Sequence, residues 1–283
     1  MMKNNYRELY TTGYERLEKA GIVEAKLDAR LLLEHACGTD HNTLLVHPER
    51  EVTEDEYSLF TEYIERREKR EPVAYIIGKW DFMGLSFNVS QDVLIPEQDT
   101  EILVEEALRF VEDGMRIMDL CTGSGCIALS LLHYTNDTRA LCTDISERAL
   151  LTAKANCDML GLKGRAEFVK ADVFPEGDVG KVDIIVSNPP YIASAVIDSL
   201  APEVKDYEPR LALDGDEDGL KFYRRIIDET GKYLYSSGFL IMEIGYDQQE
   251  AVRMLLENNG KFHDIEIIKD YSGNDRVVRA CYY

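Results

Sequence analysis

A strongly apolar run, Val182-Asp183-Ile184-Ile185-Val186-Ser187, passes directly into Asn188-Pro189-Pro190-Tyr191. These four residue types in this order can hold a planar NH2 group. The Asn188 side-chain oxygen and the Pro189 carbonyl can each accept one N–H. The two prolines fix φ, so both acceptors are set in advance. Tyr191 can cover a planar group by stacking. An amide nitrogen is a poor nucleophile because its lone pair is delocalised into the carbonyl, and an exocyclic adenine amine shares the difficulty. Two well-placed acceptors draw electron density toward that nitrogen as it attacks a methyl group. No strong base is required, since the proton can leave afterwards, and alignment supplies most of the rate. A rigid turn closing a strand, with Asn188 satisfying its own backbone, would use the same residues.

A second segment supplies a partner for that chemistry. Ile117-Met118-Asp119-Leu120-Cys121-Thr122-Gly123-Ser124-Gly125-Cys126 reads as a strand, a glycine turn and a helix start. Gly123 and Gly125 permit positive φ and a close ligand approach, and the helix start offers free N–H groups. The third glycine of a G-x-G-x-x-G fingerprint is replaced by Ala128, so the loop alone does not separate a dinucleotide from another adenosyl cofactor. Three acidic positions favour S-adenosylmethionine. Asp119 ends the first strand, where a carboxylate can meet the cofactor's ammonium group. Asp144 ends the next strand, where it can take both ribose hydroxyls. Asp172 follows the third and can accept from the adenine amino group, with Val173 against the ring.

These residues need a scaffold. From Arg116 onward, short apolar runs alternate with helical stretches. Strands are expected at 116–120, 139–144, 166–171, 182–187, 238–244, 263–269 and 276–282, and helices at 124–134, 146–160, 219–231 and 247–259. Such alternation gives a mostly parallel sheet covered on both faces. Only Tyr271 to Asp275 separate the last two strands, which predicts an antiparallel hairpin at the sheet edge. The expected fold is therefore α/β, a Rossmann-like seven-stranded domain over residues 96–283, opening with a helix from Asp99 to Val111. Residues 1–72 read as a helical bundle, with Leu17, Val23, Leu27, Leu31, Leu32 and Leu33 at helical spacing. Thr53 and Glu56 form a capping box for a helix that Pro72 stops. Residues 73–95 hold the β-type runs Tyr75–Gly78, Leu85–Val89 and Val93–Ile95, read as a linking β-hairpin.

Composition narrows the partners. The net charge is −21, and residues 1–75 carry 11 Lys+Arg against 16 Asp+Glu. No basic half exists to bind phosphates, so direct nucleic-acid binding is not expected. The basic run Arg66, Arg67, Lys69 and Arg70 reads as a solvated helix end, favoured by the helix dipole. Six cysteines without a C-x-x-C pair predict reduced thiols and no metal site. No apolar run approaches the roughly 18 residues that span a bilayer, and the polar N-terminus lacks a signal-peptide core, so a cytoplasmic location is expected; a monomer is expected too, with nothing in the sequence that fixes the oligomeric state.

Taken together, Pro72 to Gly78, Val93-Leu94-Ile95-Pro96, Thr100-Glu101, Asp119 to Gly125, Asn188 to Tyr191, Glu208 to Leu213 and Asp218-Gly219-Leu220 make the chain resemble the HemK/PrmC family of N5-glutamine methyltransferases. The resemblance implies that Cys121, Thr122, Gly123, Ser124, Gly125, Asp144, Val173 and Asn188 line the cofactor pocket. It implies that Asn188, Pro189, Pro190 and Tyr191 hold a glutamine amide, with Thr100 and Glu101 also on the substrate side. The implied substrate is the glutamine of a Gly-Gly-Gln motif in peptide-chain release factors, gripped by the N-terminal bundle. Glu97 and Gln98 stand where the family usually has Arg and often Pro, which reverses a charge beside the expected entrance. Cys121 replaces a frequent glycine and fits if its φ is negative. Glu243, at the end of the fifth strand, reads equally as a structural residue or one facing the site. Two alternatives remain: an adenine-N6 methyltransferase acting on nucleic acid, and a cofactor-binding interaction protein without activity.

Overall fold

The computed structural model describes residues 5–283. They form two compact units, one of residues up to Lys79 with Ala201–Tyr207, the other of Trp80–Leu200 with Glu208–Tyr283.

The first unit is helical: α1 (Tyr6–Lys19), α2 (Ala25–Ala36), α3 (His41–Val46), α4 (Glu54–Glu68) and α5 (Val73–Ile77). The predicted capping box is present, with Glu56 N bonded to Thr53 Oγ1 at 3.2 Å and Thr53 N to Glu56 Oε2 at 2.7 Å. Leu17, Leu32 and Leu33 are fully buried with Phe60 and Ile64. Val23 and Leu27 are exposed instead. Helix α2 starts only at Ala25, so its inward face falls on Ala25, Ala29, Leu32, Leu33 and Ala36. Val73 to Ile77 is a helix rather than a strand; a short buried apolar run carries no period that separates the two. Val93 to Ile95 is irregular. The basic run is not a solvated end: Arg67 is buried between Asp28 (2.7 Å) and Glu203 (3.0 Å), and Arg70 also pairs with Glu203.

From Trp80 the second unit holds all but the first residue of a hairpin, β1 (Lys79–Phe82) and β2 (Leu85–Asn88). Phe82 and Phe87 sit edge to face with centroids 6.1 Å apart and join the core of this unit. Then follow α6 (Gln98–Leu108), β3 (Arg116–Leu120), α7 (Cys126–His133), β4 (Arg139–Asp144), α8 (Glu147–Met159), β5 (Ala166–Lys170) and β6 (Val182–Ser187). Short helices α9 (Ser194–Ile197), α10 (Pro202–Lys205, within the first unit) and α11 (Arg210–Leu213) precede α12 (Lys221–Glu229), β7 (Leu234–Glu243), α13 (Gln249–Asn259), β8 (Phe262–Lys269) and β9 (Asp275–Tyr282).

The seven-stranded sheet runs β5-β4-β3-β6-β7-β9-β8. All neighbours are parallel except β9, which lies antiparallel between β7 and β8. Successive β3 residues face opposite layers: Ile117 packs with α6 and α7, and Met118 with α12 and α13. Strand β7 starts earlier than its apolar pattern suggests. After the buried Leu234, its next residues, Tyr235-Ser236-Ser237, are exposed and break the pairing register, with Ser237 at φ +66°. The register sets Leu120 beside both Thr143 and Ser187, so the carboxyl ends of β3, β4 and β6 finish together.

Candidate active site

A cleft opens above those three strand ends, entirely within the second unit. Its wall takes Val93, Leu94, Pro96, Glu97 and Thr100 from the start of α6, and Cys121 to Ser124 from the glycine loop. Asp144 to Ser146, Asp172, Val173, Asn188 and Pro190 follow from later strand ends, and Pro209, Leu211, Ala212 and Phe222 close it.

The glycine loop is tied from both sides. Thr122 N bonds Thr143 O at 2.9 Å, and the fully buried Asn156 donates to Ser124 O (2.9 Å) and Asn88 O (3.1 Å). Gly123 has φ +55°, and a Cβ there would meet nothing within 4 Å. Bare backbone with open room beside it suits a ligand's close approach. Gly125 does not line the cleft; its role is packing, since a Cβ would come 3.2 Å from Ala153. Cys121 has φ +58°, so the condition of a negative φ under which it would fit without strain is not met. Burial pushes its thiol up strongly, with Asp144 and Asp119 adding to the rise, so it is no nucleophile.

Asp119 is fully buried behind the loop and does not line the cleft. Its Oδ2 accepts from Thr122 Oγ1 (2.6 Å) and Ala128 N (3.3 Å), while Oδ1 has no hydrogen-bond partner. Desolvation raises it to about 7. Asp119 thus braces the loop from behind, and the direct contact with an ammonium group is not what the geometry offers. Asp144 does line the cleft, its carboxylate held by Gly123 N (2.9 Å) and Ser146 N (2.8 Å). Asp172 lines it too, with its carboxylate 2.7 Å from Arg225. Val173, at φ +63°, forms an apolar wall.

At the end of β6, Asn188 Nδ2 donates to Thr100 Oγ1 at 3.2 Å, and Thr100 donates to Glu243 Oε2 at 2.6 Å. The Tyr191 hydroxyl donates to Glu243 Oε1 at 3.1 Å. Tyr191 is partly buried against the core and does not line the cleft, where the sequence had placed it as a cover for the substrate group. Glu243 is 1% exposed; burial raises it to about 7, against the bond from Thr100. The segment after Tyr191 is strapped down: Gln248 donates to Tyr191 O (2.9 Å), Ile192 N to Leu213 O (2.9 Å) and Gly215 N to Ile192 O (2.8 Å). Glu101 faces the hairpin, accepting from Met83 N at 2.6 Å, and is not a cleft residue. Burial raises Glu97, helped by Asp99, and raises Glu208 to about 8, helped by Glu97.

Residues 8–78 match the family model described as the PrmC N-terminal domain, and residues 96–203 match the methyltransferase small domain. The release factor glutamine methyltransferase of Clostridium acetobutylicum is 43% identical over 257 residues, covering 89% of this chain and 90% of that one. Its namesake from Clostridium botulinum is 39% identical over 281 residues, covering 98% and 99%. The chain belongs to the HemK/PrmC family of release factor glutamine methyltransferases. A methyltransferase from Pyrococcus furiosus, 16% identical with a TM-score of 0.50 over 70% of this chain and 89% of that one, shares the fold.

In this member of the family, sequence reasoning brought Asn188, Pro190, Asp144, Asp172, Val173, Thr100 and the loop from Cys121 to Ser124 to one cleft. It missed Asn156, a polar residue within α8, and Gln248, which caps the start of α13 in a polar stretch; neither carries a local signal. It singled out Asp218-Gly219-Leu220 by resemblance without reading its contact with Tyr191, and it missed Gly215, although the glycine pair within Asp214-Gly215-Asp216-Glu217-Asp218-Gly219 was a signal.

Proposed function

We propose that this chain transfers a methyl group from S-adenosylmethionine to the side-chain amide nitrogen of the Gly-Gly-Gln glutamine in a peptide-chain release factor. The observation that carries the chemistry is Asn188 in the cleft wall with its Nδ2 already bonded to Thr100, which leaves Oδ1 to accept from a substrate NH2. Near-full-length likeness to proteins named for that reaction supports the choice of a release factor over other amides.

The cleft fits the cofactor. The open space beside Gly123 accepts a chain laid against backbone, Asp144 stands at the wall for ribose hydroxyls, and Val173 offers an apolar face to a ring. When bound, S-adenosylmethionine supplies the electrophilic methyl group. Asn188 Oδ1 and the Pro189 carbonyl hold the amide NH2 and steady its nitrogen for in-line attack. Pro190 and Phe222 help exclude water. The amide proton is lost to solvent after transfer. The net charge of −21 suits a protein substrate with a basic face and works against a phosphate backbone, and a release factor as substrate places the action in the cytoplasm.

Labelled S-adenosylmethionine, an unmethylated release factor and this protein are incubated together. A single added methyl on the Gly-Gly-Gln peptide is expected. Robust transfer to DNA with none to the factor would overturn the proposal in favour of an adenine amine as substrate. Asn188→Ala should lower turnover by about a hundredfold or more, with S-adenosylhomocysteine affinity nearly unchanged by calorimetry.

A further inference from the structure

We infer that Glu243, acting through Thr100, fixes the orientation of the Asn188 side-chain amide, so that its oxygen and not its nitrogen is presented to the substrate. This rests on the amide-methylation reading and adds to it two positioning residues that touch no reacting atom.

The argument counts hydrogens. A threonine hydroxyl has one hydrogen to give. An ionised carboxylate can only accept, so the 2.6 Å contact between Thr100 Oγ1 and Glu243 Oε2 consumes that hydrogen. Thr100 can then only accept from its other neighbour, Asn188, at 3.2 Å. An amide offers hydrogens only from nitrogen, so Nδ2 must face Thr100 and Oδ1 must face the other way. Oxygen and nitrogen of an amide are otherwise nearly interchangeable in shape. Without the relay, either end can face the cleft, and an Asn188 presenting NH2 repels a substrate NH2.

The other oxygen of Glu243 serves the same loop. Oε1 accepts from Tyr191 at 3.1 Å, so one carboxylate steadies both ends of the Asn188–Tyr191 turn. Proton uptake by Glu243 damages one arm or the other. On Oε2 it frees Thr100 to turn its hydrogen to Asn188; on Oε1 it removes the acceptor of Tyr191. The groups facing Glu243 from neighbouring elements are Glu97, Cys126, Tyr191, Tyr223 and Arg276, of which only Arg276 favours the ionised form by charge. Burial prevails and holds the carboxyl near 7, so the relay weakens as the pH falls through neutrality.

The test first establishes glutamine methylation of the release factor by the unaltered protein; failure there sinks the amide-methylation reading itself. With that in hand, Thr100→Val should lower kcat by about a hundredfold while KM for the factor changes little. Thr100→Ser, which keeps the hydroxyl, should recover most of the loss. The pH profile of kcat should rise through about 7. In Glu243→Gln, whose amide oxygen still accepts from Thr100 but cannot titrate there, that rise should vanish. Three results would each overturn the inference: Thr100→Val within about threefold of the parent, Thr100→Ser as impaired as Thr100→Val, or an unchanged pH rise in Glu243→Gln. Should Thr100→Val not fold, the serine variant and the pH profiles decide alone.

Discussion

Cys121 and Val173 both carry side chains in the left-handed region, at φ +58° and +63°, and both line the cleft. Such residues cost of order 1–3 kcal/mol unless their surroundings enforce them. The enforcement is visible: Thr122 N is bonded to Thr143 O, and Thr143 Oγ1 donates to Val173 O at 2.6 Å. Cys121→Val should therefore lower unfolding free energy by about 2 kcal/mol. Cys121→Gly should leave it within about 1 kcal/mol, because relief of strain offsets the extra freedom of the unfolded chain. Urea unfolding of the two variants measures this, and equal losses would refute the strain. The buried Asn156 side chain makes three bonds, donating to Ser124 O and Asn88 O and accepting from Asn88 N. Asn156→Ala should cost about 3 kcal/mol and weaken S-adenosylhomocysteine binding measured by calorimetry, since it loosens the glycine loop. Residue types at the site were legible because Asn-Pro-Pro-Tyr and the glycine loop are tied to chemistry. Which side of the loop Asp119 occupies was not, because the helix α7 amide that captures it belongs to Ala128, nine positions on.

Elements with strong periods or caps could be placed from sequence: β3, β4 and β6 coincide with their expected bounds, and α4 begins at its capping box. Thr53→Ala should cost about 1 kcal/mol, read from denaturant unfolding. Elements governed by tertiary contacts could not be placed. Helix α5 looked like a strand because Val73, Ala74, Tyr75 and Ile76 are all buried and carry no alternation. The strap from Leu213 to Gly219 has no period at all, yet it packs directly against the backbone of Tyr191 and Ile192. A Cβ on Gly219 would lie 2.3 Å from Tyr191 O at φ +73°, and one on Gly215 would lie 2.9 Å from Tyr191 Cα. Both clashes are with backbone, which cannot swing aside as a flexible side chain can. Gly219→Ala should push the Tyr191 segment toward the cleft, lower kcat at least tenfold and cost about 2 kcal/mol. A variant with parental kcat and stability would show that the strap yields freely and does not position the loop.

At the scale of the whole molecule, two carboxyls buried in the sheet layer set a pH dependence opposite to that of ordinary salt-bridged acids. Asp119 and Glu243 sit near 7 in the folded chain because burial penalises their charged forms, whereas unfolded carboxyls titrate near 4. Between about pH 4 and 7 the folded chain holds protons that the unfolded chain has released, so stability must fall as pH rises through that window. Below about 4 both states are protonated and these groups contribute no slope. The net charge of −21 acts in the same direction, since repulsion among surface acids eases as the pH drops. The two causes separate with salt. Screening at high ionic strength weakens the surface repulsion but reaches Asp119 and Glu243 little, both being at most 1% exposed. Urea unfolding at pH 6 and pH 8.5 in high salt should therefore still show the protein more stable at pH 6, by a few kcal/mol. Asp119→Asn should remove part of that difference, the rest resting on Glu243 and on Glu208, which burial raises to about 8. Equal stability at the two pH values in the unaltered protein would show that these buried carboxyls are ionised at no cost, and that the sheet layer around them is more polar than its packing implies.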